Sequence, residues 1–129
     1  MNKKEFSVRS RAESFAFAFS GFMVLFRTQH NFQLHLAAAV TAIGLSFWLQ
    51  ISRVEFAVII LAIMMVLAVE ALNTSIEMVV NMFSAQRTWP AKWAKDIAAA
   101  AVLITATGAL AVGLIILGPP LYDKLIEML

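Results

Sequence analysis

Between Phe56 and Phe83 nearly every position is apolar, yet Glu70, Asn73, Glu77 and Asn81 break the run at offsets of three, seven and eleven. At ~100° per residue those positions fall within about 60° of one another, so the pattern predicts one long helix, greasy all round except for a single polar stripe. Phe32 to Leu49 forms an apolar run before it. Ile97 to Gly118 forms another after it, with no charge and only Thr105 and Thr107 as clearly polar side chains. The runs predict transmembrane helices over 32–49, 55–83 and 96–118, joined by a short turn at Gln50 to Glu55 and a loop at 84–95. Pro119 and Pro120 open a tail, 119–129, that reads as a short amphipathic helix on the outer surface.

Residues 1–30 follow a different rhythm. Phe15, Phe19, Phe22 and Phe26 recur at helical spacing, while Arg9, Glu13, Ser20 and Arg27 mark more polar faces. The segment predicts an amphipathic helix, either lying on the membrane surface or packing its aromatic stripe against the other helices. A secretory signal is not expected, because the apolar stretch follows a long charged lead, MNKKEFSVRSRAES, with no small-residue cleavage pattern after it. The expected fold is all-α: an integral membrane protein with three transmembrane helices and an N-terminal surface helix.

Composition agrees. The 129 residues are 61% hydrophobic and 14% charged, with a mean hydropathy of +0.82, too apolar for a small soluble domain. No cysteine is present, which excludes disulfides, thiolate zinc sites and thiol nucleophiles. Lys3, Lys4, Arg9, Arg11 and Arg27 precede the first span, and Arg87, Lys92 and Lys95 lie between the second and third; only Arg53 and Lys124 fall on the other side. The positive-inside rule therefore puts the N-terminus and the 84–95 loop in the cytoplasm. The net charge of +2 reflects that orientation, and nothing points to nucleic acid, since no dense basic patch or recognition motif is present.

A carboxylate at membrane depth costs roughly 2.5–3.5 kcal/mol, so two on one stripe call for a purpose. Glu70 and Glu77 are roughly 10 Å apart along the axis, too far to share one metal ion directly. Glu77, nearer the cytoplasmic exit and close to Lys95 and Asp96, suits a hard cation carrying nucleotide phosphate. Glu70, deeper and drier, suits proton abstraction from a group presented by the bilayer. No Walker loop exists in the chain, so a nucleotide site would be built from helix ends and side chains, with Lys95, and more weakly Arg87, supplying positive charge. Asp96 could instead be the N-terminal cap of the third span.

The string GluAlaLeuAsnThrSerIleGlu at 70–77, with AlaLysTrpAlaLysAsp at 91–96 and a following small-residue run, resembles the prokaryotic diacylglycerol kinase and undecaprenol kinase family. SerPheAlaPheAlaPheSerGly at 14–21 and ArgThrGlnHisAsnPheGlnLeuHisLeu at 27–36 look like its undecaprenol kinase branch. The resemblance implies a homotrimer in the bacterial inner membrane, N-terminus cytoplasmic, that transfers the γ-phosphoryl group of ATP, with Mg2+, to a lipid hydroxyl. It implies Glu70 as general base with Asn73 ordering the site, and Glu77 and Gln29 at the metal. Phe17, Gln29, Glu77, Arg87, Lys95 and Asp96 would lie at the nucleotide, and Glu70, Ser14, Phe15, Gly21 and Asn31 at the lipid, undecaprenol or diacylglycerol.

Some positions depart from the family pattern. Gln29 stands where the family has a metal-binding glutamate, Asn81 where it has an aspartate, and Thr88 with Trp89 where a His-Pro pair is common. An amide still offers one oxygen to magnesium, but the lost charge weakens the site. The departures keep a second reading open, a catalytically weakened or silent member acting as a membrane assembly partner; a small transporter is a remote third, without the internal repeat such folds often carry. His30 and His35, five apart, do not form an i, i+4 metal pair and read as packing residues, although His35 falls in the matched segment. Trp48, Trp89 and Trp93 read as interfacial anchors. Ala98 to Ala101, Gly108 and Gly113 give the last span a small-residue face for close helix contact, between subunits or within one, and Thr105 and Thr107 can bond their own backbone.

Overall fold

The computed structural model describes residues 8–83 and 88–129. They form α1 (Val8–Thr28), α2 (His30–Trp48), α3 (Arg53–Phe83) and α4 (Trp89–Glu127), with no strand among them. The closest pair is α3 with α4, α2 packs on α3 and barely touches α4, and α1 makes slight contact, chiefly with α2.

Few large side chains are inside. Phe32, Ala39, Ile59, Val66, Ala98 and Leu117 are the buried apolar residues among those described. α3 and α4 are long and apolar enough to cross a membrane, and only 17% and 6% of their most apolar stretches is buried within the subunit. A soluble core helix would be mostly covered; these present their apolar surface outward, as helices do in lipid. α2, 19 residues long, has its first turns diluted by His30, Asn31, Gln33 and His35 and is not among the helices that meet this standard.

The helix joints are locally determined. α1 and α2 are separated by one extended residue, Gln29, at φ −108° and ψ 106°. The break frees carbonyls at the end of α1, and Gln33 Nε2 donates to Phe26 O at 2.9 Å while Thr28 Oγ1 donates to Val24 O at 2.8 Å. Phe22 and Phe32 meet edge to face across the elbow, 5.6 Å between centroids.

The α2–α3 turn closes with a Schellman pattern: Ile51 N–H donates to Ser46 O and Gln50 N–H to Phe47 O, with Gln50 left-handed at φ 53°. α3 then starts on a capping box. Ser52 N–H donates to Glu55 Oε2 at 2.8 Å, and Glu55 N–H to Ser52 Oγ at 3.3 Å. At the same end of the bundle Lys124 Nζ donates to Trp48 O at 2.9 Å and sits 5.0 Å from the Trp48 ring centroid, satisfying an orphan carbonyl at the end of α2.

Two boundaries differ from those expected from sequence. α4 begins at Trp89, so the second half of the expected 84–95 loop is helical: Pro90 stands in the first turn, where its missing N–H costs nothing. α4 also runs through Pro119 and Pro120 to Glu127, so the tail continues the last helix; prolines remove ladder bonds but their fixed φ is helical. Asp96 is consequently not an N-cap. Thr88 holds that position, and Asp96 lies two turns inside. The small-residue face is only partly used within the subunit: Ala98 is buried, Ala99 to Ala101 are exposed, and a Cβ added at Gly108 or Gly113 would meet nothing within 4 Å.

Candidate active site

α3 carries the polar stripe as its spacing predicts. Glu70 is 2% exposed and Asn73 7%, Thr74 is buried beside them, and Glu77 is half-buried one turn further on. Two buried acceptors, Glu70 Oε2 and Asn73 Oδ1, have no hydrogen-bond partner. Buried polar atoms are ordinarily satisfied, and a lone one costs about 1–3 kcal/mol. A pair of them on adjacent turns of one face therefore marks a place prepared for something other than packing.

His35 on α2 and Glu77 are the titratable groups in electrostatic reach of Glu70. His35 thus faces the site from the neighbouring helix. Its sequence signal was its place in the matched 27–36 segment, whereas the His30–His35 spacing gave none.

At the end of the stripe Lys95 Nζ donates to Asn81 Oδ1 at 3.3 Å, tying α4 to α3 through a neutral partner. Lys92 and Asp96 pair with each other at 2.7 Å along the exposed side of α4. On the helix Lys95 lies on the side of buried Ala98, while Trp89 and Trp93, in ring contact at 6.5 Å, share the outward face with Ile97 and Ile104. The tryptophans thus stand on the outward face of α4, apart from the ammonium.

The remaining expected site residues are not gathered around Glu70. Ser14, Phe15, Phe17 and Gly21 stand exposed on α1, which packs chiefly on α2. Asn31 is exposed, and Gln29 is half-buried at the α1–α2 joint, where its Nε2 donates to Thr28 Oγ1 at 2.9 Å. That bond leaves the side-chain Oε1 of Gln29 as a free acceptor, while its backbone oxygen accepts from Gln33 N–H at 3.1 Å. Arg87 lies outside the described residues.

Among the described residues no group of three His, Asp or Glu side chains is arranged to hold a metal ion. Glu77 on α3 and Gln29 at the α1–α2 joint each carry an oxygen of the kind a hard cation takes, one a carboxylate and one a side-chain amide.

The family model described as prokaryotic diacylglycerol kinase matches residues 16–117. The chain is 38% identical over 114 residues to the diacylglycerol kinase of Synechocystis sp., covering 88% of this chain and 65% of that protein, just under two thirds of its length. It is 38% identical over 109 residues to the undecaprenol kinase of Bacillus subtilis, covering 84% and 89%, and 34% identical over 91 residues to the diacylglycerol kinase of Pseudomonas aeruginosa, covering 70% and 74%. The match takes in the stripe on α3, the joint at Gln29 and the first turns of α4, and on that breadth the chain belongs to the prokaryotic diacylglycerol kinase family.

Proposed function

We propose that the protein is an ATP-dependent lipid kinase that transfers the γ-phosphoryl group to the hydroxyl of a membrane lipid, undecaprenol or diacylglycerol. The observation that carries the reading is the buried, unpartnered carboxylate of Glu70 beside the unpartnered amide of Asn73. In this reading α2, α3 and α4 span the bacterial inner membrane with the N-terminus cytoplasmic, and three copies assemble. If Arg53 marks the outer interface, a hydrocarbon core of about 30 Å ends some twenty residues along α3. Glu70 then lies just inside the cytoplasmic boundary and Glu77 beyond it, which is where a lipid hydroxyl and a water-borne nucleotide meet.

Glu70 Oε2 accepts the proton of the lipid hydroxyl as that oxygen attacks the γ-phosphorus, and the bond from phosphorus to the bridging oxygen of ADP breaks. Asn73 orients the hydroxyl through its amide. Lys95, held by a neutral residue, keeps its full charge for the transferred phosphoryl group. Magnesium, when bound, would draw charge off the phosphates, and Glu77 with the side-chain Oε1 of Gln29 would hold it.

A weakened or silent member is the second reading, favoured by Gln29 and by the engagement of Asp96 with Lys92. The test is transfer of labelled γ-phosphate from Mg-ATP to undecaprenol and to diacylglycerol in mixed micelles. Transfer that Glu70→Gln abolishes and Gln29→Glu raises, with a several-fold lower magnesium requirement, supports the kinase. No transfer to either lipid at any magnesium or manganese concentration, with no rescue by Gln29→Glu, overturns it in favour of the silent member.

A further inference from the structure

Burial on α2 and α3 follows a seven-residue period. Phe32, Ala39 and Ser46 are the buried positions of α2, and Ile59, Val66 and Asn73 recur the same way on α3, where Glu70 and Thr74 are also buried. Two helices joined by a short turn pack antiparallel along such seams. Counted outward from that turn, the seams run Ser46, Ala39, Phe32 on one helix and Ile59, Val66, Asn73 on the other. Glu70 falls in the interval between Val66 and Asn73, and the corresponding interval of α2, between Ala39 and Phe32, holds one titratable residue, His35. The two are in electrostatic reach of one another. His35 is also the titratable side chain lining the cleft of about 470 Å³ between α2, α3 and α4, to which α4, from Ala106 to Leu121, brings no charge.

The site needs a way out for a proton. A base that has accepted one must lose it before it can act again, and Glu70, 2% exposed, does not meet water itself. Asn73 and Thr74 beside it carry no basic atom, and Glu77 is roughly 10 Å along the axis on the nucleotide side. His35 is placed differently. It is half-buried, and Asn31, one turn nearer the start of α2 and about 40° round the helix, is exposed. No hydrogen bond among the described residues occupies the imidazole. An imidazole can take a proton at one ring nitrogen and give one from the other near neutral pH.

We propose that His35 restores Glu70 between turnovers, taking from it the proton that the lipid hydroxyl has given up and releasing one toward Asn31 and the cytoplasmic water. The proposal rests on the lipid-kinase reading and adds a residue that the reaction otherwise leaves idle. In the transfer the hydroxyl O–H bond breaks, its oxygen bonds to phosphorus, ADP departs with the electron pair of its bridging oxygen, and the proton ends on Glu70 Oε2. In the step assigned here the Glu70 O–H bond breaks and an N–H bond forms on His35; the imidazolium then gives the proton of its other nitrogen to water. His35 acts through Glu70 and touches no reacting atom, so it is a positioning residue for the base.

The test uses the full chain in mixed micelles with Mg-ATP and each lipid. For His35→Ala, kcat is expected to fall about 10²-fold, with KM for nucleotide and lipid held within about twofold. Imidazole added to the buffer is expected to restore much of the loss, substituted imidazoles in order of base strength, and pyrazole, of the same size but a far weaker base, none of it. Undiminished kcat overturns the proposal. So does a loss confined to KM, which marks a substrate contact, or equal rescue by pyrazole, which marks a filled hole.

A second measurement needs no turnover. The chain has two histidines, so their imidazole NMR signals are assigned with His30→Gln and titrated in the parent chain and in Glu70→Gln. The His35 midpoint is expected to move by about half a pH unit or more while that of His30 stays. An unmoved His35 overturns the proposal, and where neither compound restores kcat this midpoint decides. If the parent chain and Gln29→Glu phosphorylate neither lipid, the kinase reading fails and the turnover role falls with it; a His35 midpoint that moves even so leaves the proton-sharing pair standing.

Discussion

Replacing Glu70 separates a residue kept for chemistry from one kept for structure. Its carboxylate is 2% exposed, makes no hydrogen bond and no ion pair, and leaves Oε2 orphaned. Removing it therefore forfeits no contact that holds the fold. What is removed is the cost of the group itself, about 1–3 kcal/mol for an unsatisfied buried acceptor. Glu70→Met, similar in volume and fully apolar, is expected to raise stability by about that amount, a rise of several degrees in Tm, and Glu70→Gln by less, because the amide keeps unsatisfied groups. Both are expected to lower phosphoryl transfer by about 10²–10⁴-fold, the scale of a lost general base. Thermal unfolding in detergent by tryptophan fluorescence, read beside labelled-phosphate transfer, checks both halves. A several-degree fall in Tm for Glu70→Met would refute the reasoning by showing the carboxylate to be a structural partner, and undiminished transfer by Glu70→Gln would refute the base.

Other contacts make independent predictions. Asn81→Asp converts the neutral partner of Lys95 into a carboxylate; we expect a rise of about three- to tenfold in KM for Mg-ATP as the new pair competes for the ammonium, and a lowered KM would show that the site was short of negative charge. Lys124→Met removes the cap on Trp48 O and the cation over its ring, and should cost about 1 kcal/mol in thermal unfolding. Gln50 is left-handed without being glycine, so Gln50→Gly should hold or raise Tm while Gln50→Val, which resists that conformation, lowers it by an amount equivalent to about 1–2 kcal/mol.

The helices and the polar stripe were legible because period and composition act locally. Glu70, Asn73, Glu77 and Asn81 share a face by arithmetic alone, and burial of the first two follows once α2 and α4 cover that face. The start of α4 was misjudged because Trp89, Lys92 and Lys95 read as loop chemistry, whereas Pro90 in a first turn and the Lys92–Asp96 spacing are helical signals that polarity obscured. Asp96 looked like a cap for the same reason. The place of His35 beside Glu70 was beyond reach of spacing, since it depends on the register between α2 and α3, set by the Schellman turn at Gln50 and the capping box at Ser52.

The single extended residue at Gln29 makes α1 a lever. From Val8 to Thr28 the arm is 21 residues, roughly 30 Å long, and beside the joint it meets α2 through the Phe22–Phe32 contact and the bond from Gln33 to Phe26. A change of ~10° in the torsions of Gln29 would sweep the far end through about 5 Å, a full helical pitch. In the reading that lays α1 on the membrane surface, the torsions of this one residue would set where Ser14, Phe15 and Phe17 stand relative to the polar stripe.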